Sequence, residues 1–341
     1  MDALDDLEVA RLTTMASGAL VTQMVSAAAS LGVADALGPD TATTTELADR
    51  CGADCSSLGR LLRGLASLGV LEELAADLFA LTDLGHLLRT DHPRSLHSWC
   101  LVQGQLMAPL WGGLLEAVRT GRPAAPEVFG RSFYAHLEAH PDLDDQWNRA
   151  MVETARAWWA DGELLDVIDW SVVSRVVDVG GGRGGLLAVL LQRHRHLTGL
   201  VYDLPHVVAR APAFLEEVGV GDRAEAVAGN FFDAVPAGAD LYLLGRVLFN
   251  WEDQDALRVL AACRRAMGVD ALLLVIDQAI PADDQIHPAK VNDLSLLTIG
   301  GRARSCDDWS ALVQRALLRP VKGSPSPIAA PWMALLLRRE T

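Results

Sequence analysis

Two aspartates and a run of glycines are the residues in this chain best suited to chemistry. Asp178 lies in the stretch VDVGGGRGG, ahead of Gly180, Gly182 and Gly185, and Asp203 follows about 20 residues beyond them. Glycines at such a turn let the backbone approach a ligand where a strand gives way to a helix. The spacing predicts a nucleotide-type cofactor site, in which Asp203 accepts hydrogen bonds from both ribose hydroxyls.

Asp178 separates two cofactors that the glycine spacing alone leaves open. A nicotinamide dinucleotide carries a pyrophosphate, which a carboxylate beside the glycines would repel. S-adenosylmethionine has no phosphate but has an ammonium group and a sulfonium, and nearby acids stabilise both. The pair Asp178 and Asp203 therefore favours S-adenosylmethionine.

Strands that alternate with helices must position these residues. Apolar runs of strand length, separated by segments of helix length, lie at residues 175–179, 200–202, 224–227, 241–244 and 271–276. This alternation predicts a doubly wound α/β fold with a mostly parallel sheet. Residues 331–337 form a last strand, which can insert antiparallel because it follows the final helix.

The first half of the chain reads as helices almost throughout. Residues 7–31 predict one helix that is apolar on more than one face, which we expect to be buried between two subunits. A helical pair near residues 45–68 and two short strands after it predict a winged helix. We therefore expect a winged-helix dimerisation domain over residues 1–165, all-helical except for the two strands of the wing. A Rossmann-like domain follows over residues 166–341.

Composition and charge exclude several classes of protein. Charged residues make up 21% of the chain, half of it is hydrophobic, and no apolar run is long enough for a membrane span. The net charge of −15 argues against nucleic acid as a partner and against a transcriptional regulator, although the winged helix suggests one. Five scattered cysteines and an acidic N-terminus predict a cytoplasmic protein with reduced thiols and no metal site.

Four segments together resemble the plant-type small-molecule O-methyltransferases, and most of all the bacterial branch that tailors aromatic polyketides. In order, they are DVGGG at residues 178–182, YDLPHV at 202–207, GNFF at 229–232 and LFNWED at 248–253. The late stretch GGRARS at residues 300–305 also resembles that family. The resemblance spans nearly the whole chain and implies a seven-stranded methyltransferase sheet, a homodimer and an aromatic substrate.

The resemblance also assigns cofactor residues one position at a time. S-adenosylmethionine is the implied cofactor and S-adenosylhomocysteine the implied product. Asn230 stands where the family usually has Asp, and its amide can still hydrogen-bond the adenine. The residues expected to contact the cofactor are Asp178, Gly180, Gly182, Asp203, Leu204, Asn230, Phe231, Gly245 and Arg246.

The catalytic pattern of the family is incomplete in this sequence. Methylating members have His-Asp-Trp where this chain has Phe249-Asn250-Trp251, and that His takes the proton from the substrate hydroxyl. Of the two acids that orient the His, one aligns with Asp277 and the other with Ala303. The implied base and one of its acids are thus both missing.

Three interpretations of this loss stay open at the level of sequence. An acidic phenol can react through positioning alone. A different group, such as Asp277, His97 or His287, can act as the base. Alternatively, the protein binds the cofactor without transferring its methyl group, as in relatives that hydroxylate or decarboxylate.

We interpret the chain as an O-methyltransferase of phenolic or aromatic secondary metabolites that works by positioning. The candidate catalytic residues are Asn250 and Asp277. The candidate substrate contacts are Trp99, Met107, Met151, Phe249, Asn250 and Asn292.

Overall fold

The computed structural model describes residues 3–159, 167–324, 326–327 and 332–340. The chain forms two compact units, Met1–Pro109 and Leu110–Thr341. The division falls within the short helix α8 (Ala108–Gly112).

The first unit is mainly helical and carries a small sheet. Its helices are α1 (Ala3–Ala16), α2 (Gly18–Ser30), α3 (Val33–Leu37), α4 (Thr44–Cys51), α5 (Cys55–Ser67), α6 (Asp83–His86), α7 (His97–Leu101) and a π-helix (Val102–Met107). Its strands are β1 (Ala42–Thr43), β2 (Leu71–Ala75) and β3 (Leu78–Leu81), and they pair antiparallel in the order β1-β3-β2. The helical winged-helix prediction is confirmed, and β1 adds a third strand to the wing.

The N-terminal apolar segment is two helices rather than the single one predicted. The break lies at Ser17, whose hydroxyl and backbone N–H both donate to the carbonyl of Thr13, at 2.9 and 3.1 Å. Gly18 follows and begins α2. Much of α1 stays exposed in a single chain, and the side chains of Leu12 and Met15 are 69% and 68% exposed.

The winged helix forms around α4 and α5 for local reasons. Thr43 and Glu46 form a capping box at the start of α4, and Asp54 caps α5 by accepting the N–H of Ser57 at 2.8 Å. The apolar face of α5 points inward, and Leu62 and Leu65 are fully buried. These leucines join β2, β3 and α3 in one core.

The second unit consists of a large sheet with helices on both faces. Its helices are α9 (Leu114–Thr120), α10 (Ala125–Phe129), α11 (Phe133–Ala139), α12 (Pro141–Trp159), α13 (Gly185–Arg193), α14 (Pro205–Val208), α15 (Ala211–Glu217), α16 (Asp253–Ala266), α17 (Pro288–Ile299) and α18 (Cys306–Arg315). Its strands are β4 (Arg175–Val179), β5 (Thr198–Asp203), β6 (Ala224–Ala228), β7 (Leu241–Gly245), β8 (Leu272–Ile280), β9 (Arg304–Ser305), β10 (Leu318–Pro320), β11 (Ser326–Pro327) and β12 (Trp332–Arg339).

Seven strands make up the main path of the sheet, in the order β6-β5-β4-β7-β8-β12-β10. Neighbours from β6 through β8 are parallel, whereas β12 runs antiparallel to β8 and pairs Ala334 with Ile276. The antiparallel last strand was predicted and is confirmed. The order reverses between β4 and β7, and open α/β sheets bind ligands in the crevice at such a switch point.

The central strands are buried on both faces, which explains their continuous apolar runs. In β4, Val176 packs into the core that contains α13, whereas Val177 and Val179 pack into the core that contains α16 and α18. Asp178 is the one acidic residue of this strand, and it is 2% exposed.

The boundary between the two units differs from the one expected at residues 165 and 166. That position lies within residues 160–166, outside the described part of the chain. Helix α12 packs against α13 of the sheet unit, and a Cβ on Gly185 would lie 3.0 Å from Cα of Val152. The helices α9–α12 therefore belong to the second unit. The run of helices before residue 165 is shared between the two units, which is why helical character alone did not mark the boundary between them.

Candidate active site

A cavity of about 300 Å³ opens at the carboxyl ends of β4, β5 and β7, inside the second unit. All nine residues that the sequence assigned to the cofactor line it: Asp178, Gly180, Gly182, Asp203, Leu204, Asn230, Phe231, Gly245 and Arg246. The topology explains this meeting, because β4, β5, β6 and β7 run parallel and bring the residues after their carboxyl ends to the same edge of the sheet.

The glycine turn after β4 needs glycine for two reasons. Gly180 and Gly182 have φ angles of 70° and 62°, which side chains rarely adopt. A Cβ on Gly180 would lie 3.0 Å from the side chain of Val247, and one on Gly181 would lie 2.6 Å from the carboxyl carbon of Asp178. The turn thus brings backbone close to the floor of the cavity.

Asp178 lines the cavity and has one unsatisfied carboxylate oxygen. Its Oδ2 is buried and has no hydrogen-bond partner among the described residues. Burial, and then the like charge of Asp203, raises the pKa of Asp178 to about 7. A cation bound in the cavity would satisfy this oxygen and favour its ionised form.

Asp203 is held at the end of β5 by backbone donors. Its Oδ2 accepts the N–H of Gly182 at 2.8 Å and its Oδ1 accepts the N–H of Leu204 at 2.7 Å. Burial raises the pKa of Asp203, and these two hydrogen bonds oppose that shift. Each carboxylate oxygen has a second lone pair, so the group can still accept from two hydroxyls.

Aromatic rings form the wall beyond β6. The ring of Phe231 meets that of Phe232 edge-on, with centroids 4.8 Å apart, and Phe232 meets Trp251 at the same distance. Tyr134 stacks on Trp251 at 5.8 Å. Asn230 Oδ1 accepts the N–H of Phe232 at 2.9 Å, which leaves the amide nitrogen of Asn230 for a ligand.

Arg246 follows β7 and reaches toward α12. Its Nη1 donates to Oγ1 of Thr154 at 2.7 Å, and its Nη2 donates to the carbonyl of Met151 at 2.9 Å. The guanidinium also lies over the rings of Trp159 and Trp158, at 5.0 and 5.6 Å from their centroids. Arg246 therefore lines the cavity as a fixed cation.

Phe249 lies on a 3-10 helix, Leu248–Asn250, and does not line the cavity. Its half-buried ring packs against the core on the Trp332 side, 6.4 Å from that ring. Asn250 does line the cavity, and its Nδ2 donates to the carbonyl of Arg246 at 3.0 Å. Met151 lines it as well.

Asp277 lies outside the cavity lining and serves the backbone. Its Oδ2 accepts the N–H of Phe249 at 3.0 Å, its Oδ1 accepts the N–H of Gln278 at 2.7 Å, and its side chain is fully buried. Burial raises the pKa of Asp277 to about 7. This placement does not support a catalytic Asp277, because its side chain is fully buried and does not line the cavity, and the catalytic role stays a prediction.

The remaining predicted substrate residues lie on elements other than those described so far, and their role stays a prediction. Asn292 on α17 donates from Nδ2 to Oε1 of Gln278 at 2.9 Å. Trp99 and Met107 belong to the first unit, on α7 and the π-helix. At the position of the second acid, the N–H of Ala303 donates to Oδ1 of Asp293 at 2.6 Å.

Sequence reasoning named only Met151 among the residues that α12 contributes to the lining. This helix supplies a full stripe of the lining, namely Asp144, Trp147, Asn148, Met151, Val152 and Ala155. The spacing of three and four residues is a helical face, but such a face is read as ordinary core without knowledge of what it covers. The described residues contain no cluster of His, Cys, Asp or Glu suited to a metal ion.

Comparison with known proteins agrees with this geometry. The family model of the O-methyltransferase domain matches residues 111–318, and that of the O-methyltransferase dimerisation domain matches residues 13–91. Among the described helices, none has both the length and the apolar character that crossing a membrane requires.

Three similar proteins illustrate the range of the family. Phenazine O-methyltransferase PhzM of Lysobacter antibioticus is 35% identical over 302 residues, which cover 88% of each chain. Aclacinomycin 10-hydroxylase RdmB of Streptomyces purpurascens is 39% identical over 300 residues, covering 85% of this chain and 79% of RdmB. The O-methyltransferase NcsB1 from neocarzinostatin biosynthesis was solved with S-adenosylmethionine and 2-hydroxy-5-methyl naphthoic acid. It is 33% identical, covers 94% of this chain and 96% of its own, and has a TM-score of 0.76. The chain thus belongs to the O-methyltransferase family, with a dimerisation domain ahead of its O-methyltransferase domain.

Proposed function

We propose that this protein transfers the methyl group of S-adenosylmethionine to a hydroxyl of an aromatic small molecule. The observation that carries the proposal is the buried, unpartnered Oδ2 of Asp178 in a cavity that it shares with Asp203. Two carboxylates suit a cofactor with cationic groups and a ribose diol, and they oppose a pyrophosphate. The family match and the NcsB1 complex support the same assignment.

Some residues of the cavity would bind the cofactor, and others would position the substrate. Asp178 would offer its free oxygen to a cationic group, and Asp203 would bind the ribose. When bound, S-adenosylmethionine supplies an activated methyl group. The wall of Tyr134, Trp147 and Trp251 suits the flat face of an aromatic substrate.

The phenyl ring of Phe249 cannot accept a proton. We therefore propose that catalysis depends on positioning an acidic hydroxyl of the substrate. Phenols lose their proton near pH 10 without help, and electron-poor phenols do so at lower pH. A substrate oxygen held close to the methyl carbon reacts without a general base once it is ionised. This account uses neither Asp277 nor Phe249 as a proton acceptor.

The assembly and setting that we propose follow from charge and domain content. A second copy of the chain is the expected protein partner, since the dimerisation domain of the family is present. Nucleic acid is not expected, because the net charge is −15. The five cysteines form no disulfide bonds in the described part of the chain, which suits the cytoplasm.

A second function is favoured by one specific observation. The position of the usual catalytic His is Phe249, and the 39% identical relative RdmB is named a hydroxylase. A protein of this kind would bind the cofactor and convert its substrate without methyl transfer.

One experiment separates the two functions. The protein is incubated with S-adenosylmethionine and a panel of phenolic polyketides, and products are followed by mass spectrometry. Methyl transfer requires a gain of 14 daltons together with S-adenosylhomocysteine. Conversion that needs the cofactor but yields no methylated product favours the second function, and calorimetric preference for NAD would reject both.

A further inference from the structure

The cavity contains a cation that no known step of the proposed function uses. Among the described residues, no carboxylate lies within ion-pair distance of the Arg246 guanidinium; its hydrogen bonds go to the neutral acceptors Thr154 Oγ1 and Met151 O. A guanidinium carries five N–H donors, and these two bonds leave others available. A cavity-lining arginine without a carboxylate partner is suited to bind an anion.

The backbone at Arg246 is constrained in a way that places this cation. Arg246 has a φ of 61°, a left-handed conformation that few residues other than glycine adopt. Residues in such conformations cluster at active sites, where the surrounding structure holds them. Here the hold comes from Thr154, Met151 and Trp159 on α12 and from Asn250, whose amide donates to the Arg246 carbonyl.

The ionisable groups that act electrostatically on Arg246 come from three other elements. They are Asp178 on β4, Tyr134 on α11 and Asp277 on β8. Burial lowers the pKa of Arg246 to about 10, and these three groups oppose the shift only in part. The cation is therefore under-compensated, and an anion in the cavity would stabilise it.

We propose that Arg246 is a catalytic residue that holds the reacting oxygen of the aromatic substrate as a phenolate. This inference rests on the proposed function and supplies what the absent base would have supplied. The substrate O–H bond gives its proton to bulk water, the electron pair stays on oxygen, and the guanidinium keeps its own protons. A cation within about 4–6 Å lowers the pKa of an acid by about 1–3 units.

The proposal also changes the role expected for Arg246. The sequence assigned it to the cofactor, whereas an anion site on the α12 side of the cavity serves the substrate. Asn250 and Met151 also line the cavity, and each is hydrogen-bonded to Arg246. The two roles predict different losses when the guanidinium is removed.

The test measures the ionisation of a bound phenol directly. The protein is saturated with S-adenosylhomocysteine, and nitrophenols and hydroxynaphthoates that bind are titrated by absorbance, which distinguishes phenol from phenolate. We expect the bound probe to ionise at least one pH unit below its solution value in the wild type. Arg246→Met should return the pKa to the solution value or above it, and Arg246→Lys should retain part of the shift.

Arg258 offers a matched control. It also lies over an aromatic ring of the cavity wall, 4.7 Å from the centroid of Phe232, but it is ion-paired with Asp255 and does not line the cavity. Arg258→Met should leave the ionisation of the probe unchanged. Thr154→Val keeps the cation but removes one tether, and should raise the probe pKa by less than Arg246→Met does.

The outcomes separate this inference from the proposed function. If Arg246→Met weakens S-adenosylhomocysteine binding more than tenfold and leaves the probe pKa unchanged, Arg246 is a cofactor contact and the inference is wrong. A wild-type probe that keeps its solution pKa, while methylated product still forms, overturns the inference alone. If no phenol binds although the cofactor does, both the inference and the aromatic substrate class are wrong.

Discussion

Single residues decide how the cavity responds to pH, and Asp178 is the clearest case. Its pKa is raised from an ordinary 3.8 to about 7, chiefly by burial. Between these values the folded protein holds a proton that the unfolded chain has lost. The folded state without cofactor therefore loses stability as pH rises from about 4 to about 7. The ionised form, which would bind a cation, appears as pH rises through about 7.

Asp178→Asn should therefore separate stability from binding. Without cofactor, the melting temperature of the variant should exceed that of the wild type, and the difference should grow as pH rises from 5 to 8. Its calorimetric affinity for S-adenosylmethionine should be weaker than that of the wild type and nearly independent of pH. Asp270→Asn, at an exposed carboxylate, is the control and should show neither effect. Equal affinity of Asp178→Asn and the wild type at pH 8 would contradict the role of Asp178.

Phe249 shows why restoring one catalytic residue should not restore a base. Its ring packs toward Trp332, the position of the second acid is Ala303, and both oxygens of Asp277 are bonded to backbone N–H groups. A histidine placed there would lack the second acid, and the only acid left, Asp277, is fully buried and already accepts two backbone N–H groups. We expect Phe249→His to leave the pH–rate profile without a new limb near 6.5. Phe249→Leu controls for loss of the ring, and a tenfold rate gain in the histidine variant alone would refute this account.

At the scale of elements, the 3-10 helix Leu248–Asn250 is held by Arg304. This fully buried guanidinium donates to the carbonyls of Leu248 and Trp251 at 3.0 and 2.8 Å, one at each end of the short helix. It also bonds Asp253 at 3.0 Å. Gly301 packs so closely that a Cβ would lie 2.2 Å from the carbonyl oxygen of Phe249. The late loop thus fixes the segment that carries Asn250.

Arg304→Lys should misplace this segment while keeping the charge. Loss of bonds to two carbonyls predicts a fall in kcat of roughly 10–100-fold, because small displacements near the reacting atoms are costly. The KM for S-adenosylmethionine should change little, since Asp178 and Asp203 are untouched. Arg315→Lys is the matched control, because Arg315 pairs with the same Asp253 at 3.4 Å but is exposed. Equal effects of the two variants would show that only the charge near Asp253 matters.

The elements also show what sequence alone could establish. The five parallel strands and the antiparallel last strand were predictable, because buried strands carry continuous apolar runs. The short strands β9 and β10 were not, since two or three residues give no periodicity. The bonds of Asp277 were not predictable either, because a sequence does not reveal that a carboxylate will accept backbone N–H groups. The residues predicted to contact the cofactor do line one cavity, because they lie at or just after the ends of strands that the sequence pattern locates.

At the scale of the whole molecule, the first unit leaves apolar surface that a single chain does not cover. Met15 on α1 and Leu20 on α2 are 68% and 63% exposed, and both lie inside the match to the dimerisation domain. Scattered exposed apolar residues are normal, but a row of them along two helices marks an interaction surface. We therefore expect α1 and α2 to be buried between two copies of the chain.

The combined variant Met15→Glu and Leu20→Glu should weaken or abolish the dimer. Two charges on each subunit would have to be buried without partners, which costs far more than the loss of two apolar contacts. Light scattering at micromolar concentration should report a dimer for the wild type and a monomer for the variant, with circular dichroism confirming that the helices persist. Val269→Glu, at an apolar side chain of the second unit that is 83% exposed, is the control and should remain dimeric. A dimer that survives both glutamates would mean that α1 and α2 lie outside the interface, and their apolar surface would then need another partner.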